Sequence, residues 1–449
     1  MSKLKSSAQV GKSAWYSLAI LTLIYVCHSV DRSVMSIVIE PIKAEFGLSD
    51  GQIGVLTGLA YALLYAAAGI PIGYLIDRTN RRNLLAGLVT IWSACTAMCG
   101  LTQNYWQLLF ARLAVGATEA GGAPTALSMI GDLFPERLRA TAVSIFWTST
   151  AIGTAVSFGI GGYVAVNYGW RATFFIAGLP GLFLAGLLMF TMREPDRGTM
   201  DMNKTTADTF KFSADNLTTE SSKPEPAPSL RSTLGFIIVT PALRNIFIAA
   251  SFKSCVLSGV LVWSVSYFIR VHGLPIERAG VLVGLSIAIF GGIGSLLGGV
   301  AGDRAYKTGG VAAQPLVPFV TSLLTAGMVV LLALASNFYV AIAAFAGFEI
   351  FSRMYSAPTY AFLISSIPSN MRGVSISALQ VGSNLIGYGL GPFIVGGISD
   401  QIDSPDSIRF GILALSIISV WVSFHFLLAA RRAKEQTLSD NLVNSAPLI

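Results

Sequence analysis

Long apolar runs separated by short polar stretches organise this chain. A helix that crosses a bilayer needs about 20 consecutive apolar residues, and a scan for such runs finds twelve in the sequence. They begin near residues 15, 51, 83, 105, 139, 173, 241, 275, 314, 338, 371 and 408. The pattern predicts an all-α membrane protein with twelve transmembrane helices.

The polar stretches set the boundaries of the predicted regions. We expect a cytoplasmic N-terminal segment at 1–14, a six-helix bundle at 15–193, a second six-helix bundle at 233–430 and a cytoplasmic tail at 431–449. The interval 194–232 is rich in Ser, Thr, Asp, Lys and Pro and has no apolar periodicity. A segment of this composition buries too little apolar surface to fold, so we predict a mostly disordered cytoplasmic linker.

Composition supports a membrane protein and argues against an enzyme. Hydrophobic residues make up 53% of the chain and charged residues 12%, and the mean hydropathy is +0.66. Gly11-Lys12-Ser13 resembles the end of a phosphate-binding loop, but Ser6 stands where that motif requires Gly, and no strand precedes it. The sequence contains no hydrolase triad or metal-ligand cluster. We therefore expect no enzymatic activity, no cofactor and no metal.

The distribution of basic residues predicts the orientation in the membrane. With the connections assigned alternately to the two sides, 20 of the 30 Lys and Arg residues lie on the side that holds both termini. The positive-inside rule then places both termini in the cytoplasm of a multi-pass protein, which we assign to a bacterial inner membrane. The net charge of +7 has the same origin and gives no reason to expect a nucleic-acid partner. We expect a monomer.

Two short motifs recur in the two halves of the chain. Ala123-Pro124-Thr125 in the fourth segment matches Ala357-Pro358-Thr359 in the tenth. Gly73-Tyr74-Leu75-Ile76-Asp77-Arg78 after the second segment matches Gly299-Val300-Ala301-Gly302-Asp303-Arg304 after the eighth. A duplicated six-helix unit is typical of parallel-repeat transporters with a central substrate site.

The loop after the second segment carries a family resemblance. The stretch GYLIDRTNRR at 73–82 resembles the signature of the major facilitator superfamily between helices 2 and 3, with Asn80 in place of the usual second Gly. Asp77 would end helix 2 at the cytoplasmic surface and face a neighbouring helix N-terminus. Because the element recurs around Asp303, we favour a gating latch over a solvated turn. The predicted gating residues are Gly73, Asp77, Arg78, Arg81, Arg82, Asp303 and Arg304.

Within that superfamily the chain resembles the Spinster-like branch. The residues that carry this likeness are His28 to Arg32, Arg112 to Ala120, Ala123 to Thr125, Asp132 to Pro135, Arg139 and Ser144 to Trp147. The resemblance implies transport of a sphingolipid or lysophospholipid. The organic-anion symporter branch uses a similar Asp-Arg pair and Arg-x6-Glu spacing, so these two features alone do not discriminate.

Charged residues also lie at membrane depth. Asp31 and Arg32 follow eighteen uncharged residues in the first segment, and a charge at this depth costs roughly 2.5 to 3.5 kcal/mol on insertion scales. At 1.5 Å per residue, Asp31 and Arg112 lie about 12 Å and 10 Å from the outer surface and Glu119 about 21 Å from it. Arg112 and Glu119 are nearly two turns apart and share a helix face.

This arrangement suits proton coupling. A carboxyl group in a low-dielectric cavity holds its proton more tightly, and a nearby guanidinium favours the ionised form. Movement of Arg112 between Asp31 and Glu119 would therefore change which acid holds a proton. These three residues are the predicted proton-coupling site, and the alternative is a static buried ion pair. His28, one turn before Arg32, is expected to make a satisfied polar contact rather than to carry protons.

The tenth segment offers a second charged site. Glu349 and Arg353 stand at i, i+4 spacing on one helix face. Arg353 could anchor an anionic head group, or it could form an internal pair with Glu349. The predicted substrate-binding residues are Arg32, Arg112, Glu119, Arg353 and Glu349.

Together these features favour a proton-coupled secondary transporter. The expected substrate is an amphiphilic anionic lipid, similar to sphingosine phosphate or a lysophospholipid, and its other partners are protons and membrane lipids. A symporter of small organic anions such as sugar acids is the alternative. A multidrug exporter of cations is disfavoured because arginines in the cavity would repel its substrate.

Overall fold

The computed structural model describes residues 11–197, 230–368 and 371–445. The side chains of residues 70, 77, 136, 137, 140, 230, 373 and 437–445 lie outside this description. The described secondary structure is helical, without strands, and each of the twelve predicted segments overlaps a helix. Nine stretches within the described ranges are long and apolar enough to cross a membrane. The prediction of an all-α membrane protein is confirmed.

Eight helices form the first half of the described chain. They are α1 (Lys12–Ile37), α2 (Ile39–Phe46), α3 (Asp50–Gly54), α4 (Ala60–Arg78), α5 (Arg81–Cys99), α6 (Tyr105–Glu119), α7 (Gly122–Leu133) and α8 (Glu136–Thr191). A π-helical turn at Val55–Leu59 joins α3 to α4. Helix α8 contains two predicted segments and is kinked at Gly169, whose φ of 82° and ψ of 159° favour glycine.

Ten helices form the second half. They are α9 (Leu230–Val239), α10 (Pro241–His272), α11 (Ile276–Ser286), α12 (Gly292–Gly309), α13 (Leu316–Leu334), α14 (Phe338–Arg353), α15 (Ser356–Ser366), α16 (Arg372–Gly382), α17 (Gly389–Ser399) and α18 (Ile408–Ser445). Further π-helical turns join α11 to α12 and α16 to α17.

The repeated Ala-Pro-Thr motif has the same structural role in both halves. Pro124 lies in the first turn of α7, and Pro358 lies in the first turn of α15. The first four N–H groups of a helix have no partner within it, so a proline that lacks this group is tolerated there. The motif therefore starts a new helix within the fourth and the tenth predicted segments.

The chain forms two compact units. The first comprises residues 1–34, 64–157 and 167–225, and the second comprises 35–63, 158–166 and 226–449, each within its described residues. An apolar core in the first unit is built on residues such as Trp92, Phe134 and Phe146. In the second unit one core cluster is built on residues such as Phe362 and Phe426. The bundle boundaries expected from sequence stay a prediction.

Close backbone contacts join α3 and α17 in the second unit. A Cβ atom added to Gly54 would lie 2.7 Å from the carbonyl oxygen of Pro392. One added to Gly396 would lie 2.7 Å from the carbonyl carbon of Asp50. Small residues allow this approach between membrane helices. The next residue of α17, Gly397, has open space at the same position.

This pair of neighbouring glycines gives a test of the α3–α17 contact. We expect Gly396→Ala to lower the unfolding free energy by about 1 to 3 kcal/mol, because the added methyl group overpacks the contact. Gly397→Ala is the matched control, with an expected change within about 0.5 kcal/mol. Thermal unfolding of the purified variants measures both, and equal melting temperatures would contradict the contact.

Candidate functional site

Four titratable side chains are buried together in the first unit. His28 and Asp31 lie on α1, and Arg112 and Glu119 lie on α6. None of the four residues is more than 3% exposed. His28 and Asp31 are three residues apart and share a face of α1, as do the two α6 residues, seven apart, on theirs. We call this group the α1–α6 cluster.

Two contacts join the helices within the α1–α6 cluster. Nη1 of Arg112 donates a hydrogen bond to the main-chain carbonyl oxygen of Asp31 at 3.5 Å. Nε2 of His28 lies 3.4 Å from Oε2 of Glu119. Arg112 therefore lies against Asp31, and this hydrogen bond reaches the main-chain carbonyl group rather than the carboxylate.

The α1–α6 cluster holds polar atoms whose hydrogen-bonding capacity is not used. Within the described part of the chain, Nδ1 of His28 has no hydrogen-bond partner. Neither carboxyl oxygen of Asp31 has a hydrogen bond of normal geometry, although the side chain of Thr96 is close enough to act on this carboxyl group. A buried polar group without a partner costs about 1 to 3 kcal/mol, and more when it is charged. Such a cost is typical of functional sites, where it is retained because the group changes its protonation state or its partner.

Aromatic side chains enclose the histidine of this cluster. The ring of Tyr25 stacks on His28 with centroids 4.5 Å apart and planes 9° apart. The ring of Trp92 meets His28 in an edge-on arrangement, with ring centroids 6.0 Å apart. Phe146 packs against Tyr25 at 4.7 Å. These rings exclude water, so electrostatic interactions in the cluster are strong. Arg32 is half-buried and acts electrostatically on His28.

The second unit contains the charged pair of α14. Nε of Arg353 lies 3.3 Å from Oε2 of Glu349, which is fully buried. The internal pair considered from the sequence is therefore present. Tyr355 and Tyr388 interact electrostatically with Arg353, and the hydroxyl groups of Tyr355 and Ser254 lie 3.3 Å apart. The guanidinium of Arg353 thus interacts with one carboxylate and with two phenol groups.

Arg81 organises the connection between α4 and α5. Its guanidinium reaches Oδ2 of Asp132 at 2.5 Å and Oε1 of Glu194 at 2.8 Å. Oε2 of Glu194 accepts a hydrogen bond from the main-chain N–H of Arg82 at 2.7 Å. Asn80 caps α5, because its side chain accepts a hydrogen bond from the N–H of Asn83. This cap gives a physical role to the residue that departs from the family signature.

The other predicted gating residues are placed as follows. Gly73 lies in α4, where an added Cβ atom would meet open space. The guanidinium of Arg78 lies 3.9 Å from the ring centroid of Tyr74. Asp77 belongs to α4, but its side chain is outside the described part of the structure. In α12, Asp303 and Arg304 are both exposed.

An ion cluster around Asp50, in the second unit, was not found from the sequence. Arg270 donates to both carboxyl oxygens of Asp50 at 2.7 and 2.8 Å and to Oε1 of Glu40 at 2.8 Å. Lys43 also bonds Asp50, and the hydroxyl of Ser399 donates to it at 2.7 Å. The carboxylate of Asp400 accepts the N–H groups of Asp50 and Gly51 at 2.7 Å each. The only sequence signal was the capping box at Ser49 and Gln52, which marks a helix start.

Comparison with protein families gives a match over most of the chain. Residues 21–392 match the model described as Major Facilitator Superfamily. A solved structure of a bacterial homolog to the human lysosomal transporter Spinster, in an inward-facing and unoccupied conformation, is similar in fold. It has a TM-score of 0.80 and 25% identity, and the match covers 94% of this chain and 97% of that one.

Three curated relatives show the range of functions in this likeness. An MFS-type efflux pump of Mycolicibacterium smegmatis is 24% identical, over 87% of this chain and 86% of its own. Protein spinster homolog 1 of Xenopus laevis is 28% identical, over 85% of this chain and 72% of its own. The probable galactarate/D-glucarate transporter GarP of Escherichia coli is 22% identical, over 86% of this chain and 88% of its own.

Proposed function

Because the chain belongs to the major facilitator superfamily and is a transporter rather than an enzyme, we propose that it moves an amphiphilic anionic lipid by proton-coupled alternating access. The observation that carries this proposal is the α1–α6 cluster, in which two acids, a histidine and an arginine are buried together. We further propose that it acts as a monomer in a bacterial inner membrane, with both termini in the cytoplasm.

The geometry of Arg112 supports proton coupling. Its guanidinium bonds the main-chain carbonyl of Asp31, so a rotation of one side chain would bring it to the carboxylate of the same residue. A guanidinium near a carboxylate favours ionisation, and its departure favours uptake of a proton. Movement of Arg112 away from Asp31, toward an anionic substrate or toward Glu119, would therefore favour uptake of a proton by Asp31. Its return would favour release of that proton.

Three arginines support an anionic substrate. Arg32 and Arg112 lie in the first unit, and Arg353 lies in the second. A guanidinium binds phosphate through two parallel hydrogen bonds. The tyrosines near Arg353 offer apolar rings with a polar end, which suits a ligand with an anionic head and an apolar chain. The likeness to Spinster-like transporters over 94% of this chain adds to this argument.

The two ion networks support gating at the two ends of the α3–α4 stretch. Arg81 fixes the connection that follows α4, and the Asp50 cluster fixes the start of α3. We propose that the loop with Gly73, Asp77, Arg78, Arg81 and Arg82, together with its repeat at Asp303 and Arg304, closes the cytoplasmic side. In this scheme the pairing of Asp50 with Arg270 closes the outer side.

A sugar acid is the second candidate substrate. The similarity to the probable galactarate/D-glucarate transporter covers 86% of this chain, and such a dicarboxylate would use the same arginines. The two substrates differ in their apolar surface, so the competition of galactarate with a lysophospholipid separates them. Binding of galactarate tighter than any lysophospholipid would favour this second candidate.

The first test of the proposal concerns the two buried acids. In proteoliposomes, we expect Asp31→Asn and Glu119→Gln to abolish uptake of a lysophospholipid probe driven by a pH gradient, because neither amide can carry a proton. Arg112→Ala should be equally damaging, since the acids lose their exchangeable partner. Asp406→Asn, which alters a more exposed acid of the second unit, is the control. Retained gradient-driven uptake in either acid variant would make that acid structural.

A second test concerns the anion site at Arg353. Loss of charge-assisted hydrogen bonds worth about 1.5 to 3 kcal/mol should weaken binding of a lysophosphatidic acid probe roughly 10- to 100-fold in Arg353→Ala. Arg353→Lys should lose less, because it keeps the charge but not the two-pronged geometry. Isothermal titration with the phosphorylated probe and its dephosphorylated analogue measures this effect. Equal affinities for the two lipids would rule out the site.

A third test compares the two proposed gates. Asp77→Asn should shift the conformational equilibrium toward the state that is open to the cytoplasm, and Arg270→Gln toward the state that is open to the outside. Each shift should be the ~1 to 3 kcal/mol typical of coupling between states. Distance distributions between paired spin labels on each side should therefore shift in opposite directions. Arg432→Gln, which breaks an exposed pair on α18, is the control. Unchanged distance distributions in both gate variants would contradict a gating role for Asp77 and Arg270.

A further inference from the structure

His28 has chemistry that the coupling scheme of Asp31, Arg112 and Glu119 does not use. Its side chain is 4% exposed, and its Nε2 lies 3.4 Å from Oε2 of Glu119. Its Nδ1 has no hydrogen-bond partner within the described residues. An imidazole with one nitrogen on a carboxylate and the other without a partner is not the satisfied core contact expected for a lone membrane histidine.

The groups around His28 come from four helices. From α1 itself come Asp31, Arg32 and the stacked ring of Tyr25. Helix α6 contributes Glu119, which acts on both His28 and Asp31, and Arg112, which acts on Asp31. Tyr65 of α4 interacts with Arg32 and Glu119, and α5 contributes the uncharged edge of Trp92. The charged groups that act directly on His28 are therefore Glu119 and Arg32, of opposite sign.

The number of protons bound to His28 and Glu119 determines the charge of this pair. With Glu119 ionised and His28 neutral, Nε2–H donates to the carboxylate and the pair has one negative charge. One added proton gives a neutral total, as imidazolium with carboxylate or as imidazole with carboxylic acid. A second added proton gives the pair a net positive charge, as imidazolium with carboxylic acid. A buried apolar site favours the neutral total.

We propose that His28 and Glu119 together hold one transported proton. The proton passes between Nε2 of His28 and Oε2 of Glu119: the N–H bond breaks as the O–H bond forms, and the two opposite charges cancel. The pair titrates as a unit rather than as two separate groups. This inference rests on the proposed proton coupling and adds a residue to it.

Nitrogen NMR of the purified, full-length protein labelled with ¹⁵N-histidine tests the shared proton without any substrate. The chain has three histidines, so His28→Gln assigns the His28 signals, and His272 and His425 serve as internal references. In the wild type we expect the His28 shifts to change between roughly pH 5 and 9. In Glu119→Gln the midpoint of that change should fall by about one pH unit or more, because the imidazolium loses its counter-charge.

Two results of this titration would overturn the proposal. One is a set of His28 shifts that stays constant over the whole range in the wild type. The other is a midpoint that is the same in the wild type and in Glu119→Gln. At each pH, the reference histidines should have the same shifts in the wild type and in Glu119→Gln. This comparison separates a local effect from a general change in folding.

A transport measurement separates failure of this inference from failure of the coupling scheme. With a lysophospholipid probe, pH-gradient-driven uptake by His28→Gln should reach half its maximum about one pH unit lower than in the wild type, because glutamine adds no proton site. Probe counterflow without a gradient reports whether the variant is folded, and His425→Gln is the matched control. Wild-type uptake that ignores the gradient would reject the coupling itself. A coupled wild type with an identical profile in His28→Gln would reject only the role of His28.

Discussion

The cost of burying charge in an apolar medium is the constraint on which this structure depends. Asp31, Arg112 and Glu119 are each at most 1% exposed, and any one of them alone would be expensive in a membrane. Their proximity reduces this cost but does not remove it, because neither carboxyl oxygen of Asp31 has a hydrogen bond of normal geometry among the described residues. A site of this kind changes its stability whenever a proton or an anion arrives, and this is the property that a coupled transporter requires.

The same constraint explains which features could be predicted from sequence. Apolar runs of membrane length gave the helices, because every backbone polar group in a bilayer must be satisfied within a helix. Helix rise alone placed Asp31 and Arg112 at similar depth, and the structure has Arg112 against Asp31. The partner of Glu119 was missed, because the apolar pattern of α1 does not define which neighbour His28 meets. The Asp50 cluster was missed because its contacts join distant parts of the chain, such as Asp50 and Asp400, which lie 350 residues apart.

Packing and electrostatics act together at the start of α3. Gly54 and Gly396 allow α3 and α17 to approach closely, and this approach brings Ser399 and the backbone of Asp50 within hydrogen-bonding distance of their partners. Arg270 of α10 then completes the ion cluster. Tight backbone packing combined with a buried ion cluster is the kind of contact that the proposed outer gate requires.

Family membership defines the fold and the class of mechanism more sharply than it defines the substrate. The relatives include a spinster homolog and a sugar-acid transporter at similar identities of 28% and 22%. In the proposed function, substrate choice depends on a few side chains, such as those around Arg353, whereas coupling depends on the α1–α6 cluster. Coupling is therefore the central claim of this account.

The most direct measurement of that claim is the distribution of a lysophospholipid probe across proteoliposomes at equilibrium, with the membrane potential clamped at zero and the pH gradient varied. Proton coupling predicts that the concentration ratio changes about tenfold per pH unit for each coupled proton. Protein-free liposomes correct for passive distribution. A ratio that stays at the passive value for every pH gradient would contradict proton coupling.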